Sequence, residues 1–557
     1  MRQLAVYRQV LAVRDARALI GASAASQLGD WLYNAALLGY VYSATGSAAW
    51  VAAATVARLV PYVLLGPVGG AIADRYPRRV VLLVGDLLRA LLMVALAAVV
   101  ALDGPVAVVI ALTMLASVAG CAEKPAALAF LPRLVGESRL GSANALLHTV
   151  QDLGTVLGPA VGAVLLAVAS DFVAFLANGA TFAISAVLIS TIGVRGGVSR
   201  APTGALAHIA HGLRTARTTA FALPLFLVVA MVELTYGAQT VQLVVYAEQA
   251  LGLGSGGYGV LLTALGVGGL LSTFVNGRLA SAPRVALAIV ATGAVACATQ
   301  LFYAGFDLVA VALAVAVIGG AGLVACEVVA ETVLTRIVPS EALGRVVGVF
   351  DAFSVLAMVA GALLAPVLID WMSLDASLFV LGGAALVVTL ACAFMFRGLD
   401  AVTARRAEAL ASRIDVIKRL PVTAGAPPIV IERLASAAQA CPLPPGVDVV
   451  VQGAPAHAFY AIASGRVVVH RDGKKVVHLG PNDNFGERGL LDNAPRNATV
   501  TTEVDTTLLR IGGDALLEAL QVAPTLRPAL ETSSMSPGLQ LGDEGRPLVD
   551  DANWVGA

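Results

Sequence analysis

Up to Phe396 the chain is a succession of apolar stretches of about 20 residues, each long enough to cross roughly 30 Å of hydrocarbon at about 1.5 Å per residue. Twelve membrane-spanning helices are expected, over about 18–44, 48–73, 80–101, 106–131, 143–169, 172–192, 223–247, 257–277, 284–304, 308–335, 345–369 and 376–396. From about Pro421 the pattern changes to short β-type runs, such as DVVVQ at 448–452 and RVVVH at 466–470, broken by Gly, Pro and Asp turns. Between the two regions, residues 400–420 place apolar positions near helical spacing among alternating charges, which reads as an amphipathic connector. The expected division is an N-terminal segment 1–17, six-helix bundles at 18–192 and 223–396 joined by a loop at 193–222, a connector at 397–424, a β-rich domain at 425–525, and a Gly/Ser/Pro/Asp-rich disordered tail at 526–557.

Arginine sets the orientation, because short cytoplasmic loops retain positive charge. Loops after even-numbered segments hold Arg75, Arg78 and Arg79, then Arg133 and Arg139, Arg195 to Arg217, Arg278 and Arg284, Arg336 and Arg345, and Arg397 to Arg406. The alternate loops carry Asp103, Asp171, Glu248, Asp307, Asp370 and Asp375 instead. Both termini are therefore expected in the cytoplasm. The first 17 residues include four arginines without a signal-like apolar core or cleavage site, so the first hydrophobic segment is expected to stay in the membrane.

Composition narrows the class. The chain is 58% hydrophobic and 13% charged, against about 25% charged in soluble domains, which argues against a soluble enzyme. Its 36 basic and 36 acidic residues cancel, and no field draws it to nucleic acid. The five cysteines, at 121, 297, 326, 392 and 441, have no metal-ligand or disulfide-framework spacing. No Walker A sequence occurs, which points to an ion gradient as the energy source.

The two bundles match at a shift of 203 residues. Asp30 falls on Glu233, Tyr33 on Tyr236, Arg75 on Arg278, Arg133 on Arg336 and Gly158 on Gly361. Two related six-helix halves are the arrangement of carriers whose site lies at the membrane midplane between repeats. GAIADRYPRR, residues 70–79, resembles the loop signature of the major facilitator superfamily, with Pro77 in place of the usual Gly. The resemblance assigns a gating role to Gly70, Asp74, Arg75, Arg78 and Arg79, with Gly70 expected to admit a neighbouring helix. Residues 125–146, PAALAFLPRLVGESRLGSANAL, resemble the branch containing siderophore and macrolide exporters. GTVLGPAVG, with Gly154, Gly158, Pro159 and Gly162, is similar to the antiporter motif of helix five, and small residues at that spacing also serve ordinary tight packing.

Charges inside the membrane are costly unless they face a cavity or a partner. Asp30 and Glu233, repeat-related and near midplane, are candidates for proton binding, the alternative for each being a carboxylate permanently paired with Arg58 or hydrogen-bonded to a helix neighbour. Glu123 and Lys124 lie in the fourth helix before Pro125 and point in different directions. Glu327 and Glu331, one turn apart, can share a proton or a cation, or can simply be hydrated. Arg58 and Arg89 suit an anionic substrate or neutralise these acids; His148, Asp152 and Asp351 suit solvated or capping roles.

In the β-rich domain, FYAIASGRV at 459–467 and FGERGLLDNAPRNATV at 485–500 resemble the cyclic-nucleotide-binding family, the second being similar to its phosphate-binding cassette. The resemblance implies a jelly-roll-like domain in which Phe485, Gly486, Glu487, Arg488, Gly489, Leu490, Arg496, Asn497 and Ala498 form the pocket. Arg496 would meet the cyclic phosphate and Glu487 the ribose hydroxyl; the alternative is that Glu487 and Arg496 bridge each other in an empty pocket. Asn497 and Asn482 depart from the family pattern, and Pro524 and Pro528 shorten the expected lid helix after residues 514–521. The chain thus reads as an all-α membrane carrier, not an enzyme, in the bacterial inner membrane. It is expected to be a monomer that exports a small molecule in exchange for protons, with no cofactor beyond regulatory cAMP, or cGMP. A cyclic-nucleotide-linked receptor and a lipid or lysolipid flippase are the alternatives.

Overall fold

The computed structural model describes residues 7–522 except 9, 136, 170, 195–213, 216, 218, 255, 281, 283, 339, 424–425, 427 and 492–493. The tail and most of the 193–222 loop lie outside the described residues. The chain divides into two units, Met1–Thr403 and Ala404–Ala557.

The described residues of the first unit form long helices: α1 (Arg14–Thr45), α2 (Ala48–Arg75), α3 (Arg78–Ala101), α4 (Val106–Val135), α5 (Glu137–Val168), α6 (Asp171–Ser190), α7 (Ala222–Gln249), α8 (Gly257–Ala280), α9 (Val285–Tyr303), α10 (Val309–Ile337), α11 (Ser340–Trp371) and α12 (Leu374–Met395). Among the described residues, eleven helices are long and apolar enough to cross a membrane. The twelfth, α1, is long but more polar, because Ser23, Gln27 and Asp30 line an internal cavity. Large apolar side chains such as Leu91, Val187, Phe274 and Phe379 are exposed, as suits helices facing lipid.

α4 departs from the expected continuous helix. It is interrupted at Cys121 and Ala122, leaving Val106–Gly120 and Glu123–Val135. Pro125 has no N–H to return to the Cys121 carbonyl and would crowd it, so the helix breaks one turn earlier.

Helix packing repeats between the halves: α1 lies on α5 and α6 and α3 on α6, while α7 lies on α11 and α12 and α9 on α12. A Cβ added to Gly158 would lie 2.4 Å from the Trp31 Cβ, and one added to Gly361 would lie 1.9 Å from the Leu234 carbonyl oxygen. Both members of the second pair stand 203 positions after the first. The halves meet along α5 against α8 and α2 against α11.

Three apolar clusters distinguish the two ends of the bundle. The largest draws on both halves, from Leu32–Tyr42 of α1 to Val241–Ala247 of α7, at the end opposite the arginine-rich loops. A hydrogen bond from Gln249 to the Tyr42 hydroxyl, 2.6 Å, crosses there. At the arginine-rich end each half has its own cluster, one around Phe130 and Leu131 and one around Val329 and Phe396. The second half also contains a buried amide network: Gln239 donates to Thr299, Gln242 to Ser377, and Gln300 to Gln242 and the Thr235 carbonyl, each at 3.1 Å. α13 (Leu399–Arg419) starts in the first unit, where Asp400 accepts a 3.0 Å bond from the Ala286 N–H at the start of α9.

In the second unit, Ile417 of α13 and Leu420 after it pack with α14 (Pro428–Ala437) and α16 (Gly513–Val522). Two four-stranded antiparallel sheets follow, ordered β1-β8-β3-β6 and β2-β7-β4-β5. The strands are β1 (Gln439–Leu443), β2 (Asp448–Val450), β3 (Ala458–Ser464), β4 (Val467–Arg471), β5 (Lys474–Leu479), β6 (Asn484–Phe485), β7 (Thr499–Thr502) and β8 (Thr506–Gly512), with α15 (Glu487–Leu491) after β6. β3 is buried on both faces: Phe459 and Ala461 join the helices, whereas Ala458, Tyr460 and Ile462 fill the space between the sheets. Asp472 and Gly473, both at positive φ, make the tight β4–β5 turn. Asn482 adopts φ 71°, a conformation Asn tolerates, which accounts for its standing where related domains use Gly.

Candidate functional site

A cavity of about 650 Å³ lies among α1 to α6, with Glu327 of α10 as its contribution from the second half. Arg89 is its electrostatic centre. The α3 spacing puts Asp86 one turn before it, and the two pair at 2.7 Å. Arg89 also pairs with Glu123 and reaches Asp30 at 3.5 Å. Ser185 donates to Asp86, Ser26 donates to Glu123 at 3.1 Å, and the guanidinium lies 4.1 Å from the Phe182 ring centroid. The break in α4 makes this possible, because Glu123 is the first residue of its second segment.

The partner of Asp30 is therefore Arg89 and not Arg58. Arg58 lines the same cavity but forms no ion pair or hydrogen bond among the described residues, and its Nε is buried without a partner. Lys124 also lines the cavity, and its charge acts on Asp351 of α11. Glu327 lines the cavity and its charge acts on Glu233 of α7; Glu327 and Glu331 are both exposed. The side chains of His148 and Asp152 lie outside the described residues. Asp86, Ser26 and Ser185 escaped the sequence reading; the available signal was an Asp and an Arg three apart inside an apolar helix.

The glycine of the loop signature that admits a neighbour is Gly69, not Gly70. A Cβ on Gly69 would lie 2.4 Å from the Cys121 carbonyl oxygen, the group freed by Pro125, whereas Gly70 faces open space. Asp74 is half-buried, Arg75 is exposed, Arg78 is buried, and Arg79 donates to the Ser190 carbonyl at the end of α6. Gly154, Gly158 and Gly162 all face α1, against Gln27, Trp31 and Leu32, while the Pro159 carbonyl faces Gly259 of α8. The antiporter-like motif is thus a close-packed seam inside the first half that also touches the second.

In the second unit, Arg496 is buried beneath β3 and donates to the carbonyls of Gly486 and Ala458, each at 2.8 Å. Its guanidinium lies 6.0 Å from the Tyr460 ring centroid, and Tyr460 stacks on Phe485 at 5.2 Å. Glu487 is 6% exposed and accepts from Asn484 at 3.2 Å; burial pushes its carboxyl above the ordinary range. Gly486, at φ 88°, leaves room for Arg496, whose Nη1 would lie 2.7 Å from an added Cβ. Gly489 packs against Ala456, Leu490 is half-buried, Ala498 is buried, and Arg488 and Asn497 are exposed. Arginine, glutamate and the glycine-loop backbone stand together here, a set of groups whose chemistry suits a phosphate and a sugar hydroxyl.

Comparison with known proteins agrees with this division. The family model for the Major Facilitator Superfamily matches residues 19–327 and 225–440, and that for the cyclic nucleotide-binding domain matches 441–522. A Bacillus subtilis (strain 168) protein described as an uncharacterized MFS-type transporter, YfiS, is 25% identical over 380 residues, covering 65% of this chain and 89% of the relative. A CRP-like cAMP-activated global transcriptional regulator of Mycobacterium tuberculosis (strain H37Rv) is 29% identical over 121 residues, covering 21% of this chain and 54% of the regulator. A cAMP-dependent protein kinase regulatory subunit of Colletotrichum orbiculare is 31% identical over 108 residues, or 19% of this chain and 28% of that subunit. A POT family transporter solved with a thioalcohol conjugated peptide shares the fold at TM-score 0.57 and 13% identity, over 69% of this chain and 96% of that one.

Proposed function

Because the chain belongs to the Major Facilitator Superfamily and carries a C-terminal cyclic nucleotide-binding domain, we propose that it is a proton-coupled exporter of a small molecule whose activity is set by cyclic nucleotide, cAMP in preference to cGMP. It works as a monomer in the bacterial inner membrane with both termini in the cytoplasm. The supporting observation is the charged cavity itself: a core shared by both halves closes one end, and separate cores flank it at the arginine-rich end. Such an arrangement is one extreme of an alternating-access cycle, open toward the side where positive loops belong. Three carboxylates, Asp30, Asp86 and Glu123, share Arg89. Glu233 and Glu327 add two more acids from the other half, and this excess favours taking up protons.

The preference for cAMP rests on the cAMP-linked relatives of the second unit. Nucleotide regulates only by binding the two states of the carrier unequally, typically with about 1–3 kcal/mol of coupling. α13, anchored through Asp400 in one unit and through Ile417 in the other, is the element that transmits the difference.

The test uses full-length protein in proteoliposomes. An acid pulse should give a proton-binding current that Asp30→Asn and Glu233→Gln reduce, and cAMP should change its rate. No current in folded protein refutes proton coupling; a current indifferent to both nucleotides refutes regulation. A receptor with no transport would show nucleotide binding but no flux to lose.

A further inference from the structure

Arg89 is saturated by carboxylates, but Arg58 is not. Arg58 lines the cavity with a buried, unpartnered Nε and no ion pair among the described residues. Its charge acts on Asp30 and Tyr33 of the first half and on Tyr236 and Tyr258 of the second. Tyr33 lines the same cavity as Arg58 and, with Tyr258, belongs to the apolar cluster that joins the halves. Lys124, the other lining cation outside the Arg89 cluster, likewise forms no ion pair among the described residues, but its ammonium lacks the planar fork of a guanidinium.

Arg58 is half-buried with its Nε enclosed, and a guanidinium lining a cavity without a counter-ion can take a carboxylate or phosphate in two parallel bonds through its planar fork. We infer that Arg58 receives the anionic group, carboxylate or phosphate, of an amphiphilic acid. The apolar part of that acid lies against Trp31, Leu59 and Tyr62, which line the same cavity. This deepens the carrier reading and rests on it. Asp30 and Glu123 do not compete for a cationic ligand, since Arg89 already holds both. Glu233 and Glu327, on the opposite half, remain for the exchanged proton.

The site can be filled from two sources, a soluble amphiphilic acid or an acidic single-chain lipid. Full-length protein in phosphatidylcholine nanodiscs is titrated with hexanoate, hexyl phosphate, hexylammonium and hexanol. Wild type should prefer the two anions over the amine and the alcohol by about tenfold or more, the worth of one charge-assisted pair. Arg58→Gln should erase the preference and Arg58→Lys should keep part of it, with the unfolding temperature of each variant establishing that it is folded. Because the wild-type series compares ligands on one protein, it stands even if a variant does not fold.

Equal or tighter binding of hexylammonium, or a preference undiminished in folded Arg58→Gln, overturns the inference. In nanodiscs doped with lysophosphatidic acid, loss of hexyl phosphate binding assigns the site to a lipid; unchanged binding assigns it to a soluble acid. Proton-binding current without anion preference sinks this inference alone. Anion preference without any current sinks proton coupling and leaves the site standing.

Discussion

Replacing Arg89 by Met probes the cluster most directly. The Arg89 and Asp86 side chains are 3% and 2% exposed, whereas Glu123 and Asp30 are 26% and 35% exposed toward the cavity. Water can therefore stabilise the latter two when the guanidinium is removed, but Asp86 is left with the Ser185 hydroxyl as its described hydrogen bond. Breaking a buried pair by deleting one partner costs about 3–5 kcal/mol, and losing the contact with Phe182 adds about 1 kcal/mol. Arg89→Met is expected to cost about 4 kcal/mol in reversible denaturant unfolding in mixed micelles. Asp86→Asn in the same chain removes the uncompensated charge and should restore about 2 kcal/mol. Glu123→Gln, acting on a hydrated partner, should restore no more than about 1 kcal/mol. If the Asp86→Asn/Arg89→Met chain is no more stable than Arg89→Met, with coupling under about 0.5 kcal/mol, the assignment of Asp86 as the dependent partner is wrong.

Gly69→Ala should cost about 1–3 kcal/mol by pressing on the Cys121 carbonyl, whereas Gly70→Ala should stay within about 0.5 kcal/mol; thermal inactivation of the two chains side by side decides this. Arg496→Ala should abolish calorimetric heat with cAMP and cGMP. It should also destabilise the second unit by about 1–3 kcal/mol, because the Gly486 and Ala458 carbonyls lose their donor. Burial raises the Glu487 carboxyl above its ordinary 4.5, so the native state binds more protons there than the unfolded chain. The urea midpoint of the β-rich transition should therefore fall as pH rises from 4.5 through the raised value, and Glu487→Gln should flatten that dependence. An opposite slope would mean that Asn484 and Arg496 outweigh burial.

The helices, the two repeats and the nucleotide-binding domain were legible because each leaves a one-dimensional trace: apolar length, arginine alternation, a 203-residue shift and a contiguous cassette. What escaped depended on neighbours remote in sequence. Gly69 and Gly70 are indistinguishable until the carbonyl released by Pro125 is placed against one of them. Asp30 has two arginines within reach by helix position, and only the packing of α3 on α6 and α4 assigns it to Arg89. The influence of Glu327 on Glu233 likewise requires α7 and α10 to be set side by side, which spacing along one helix does not report.

The amide network of the second half carries a consequence of a different kind. Gln239, Gln242, Gln300, Thr299 and Ser377 are all buried, and none of them ionises near neutral pH. The first half joins its helices through Arg89 and carboxylates instead. Two copies of one architectural plan have thus diverged in what binds their helices together, neutral amides and hydroxyls in one and a guanidinium shared by three carboxylates in the other. Loss of one side chain therefore strands a charge in the first half but leaves only an unpaired dipole in the second.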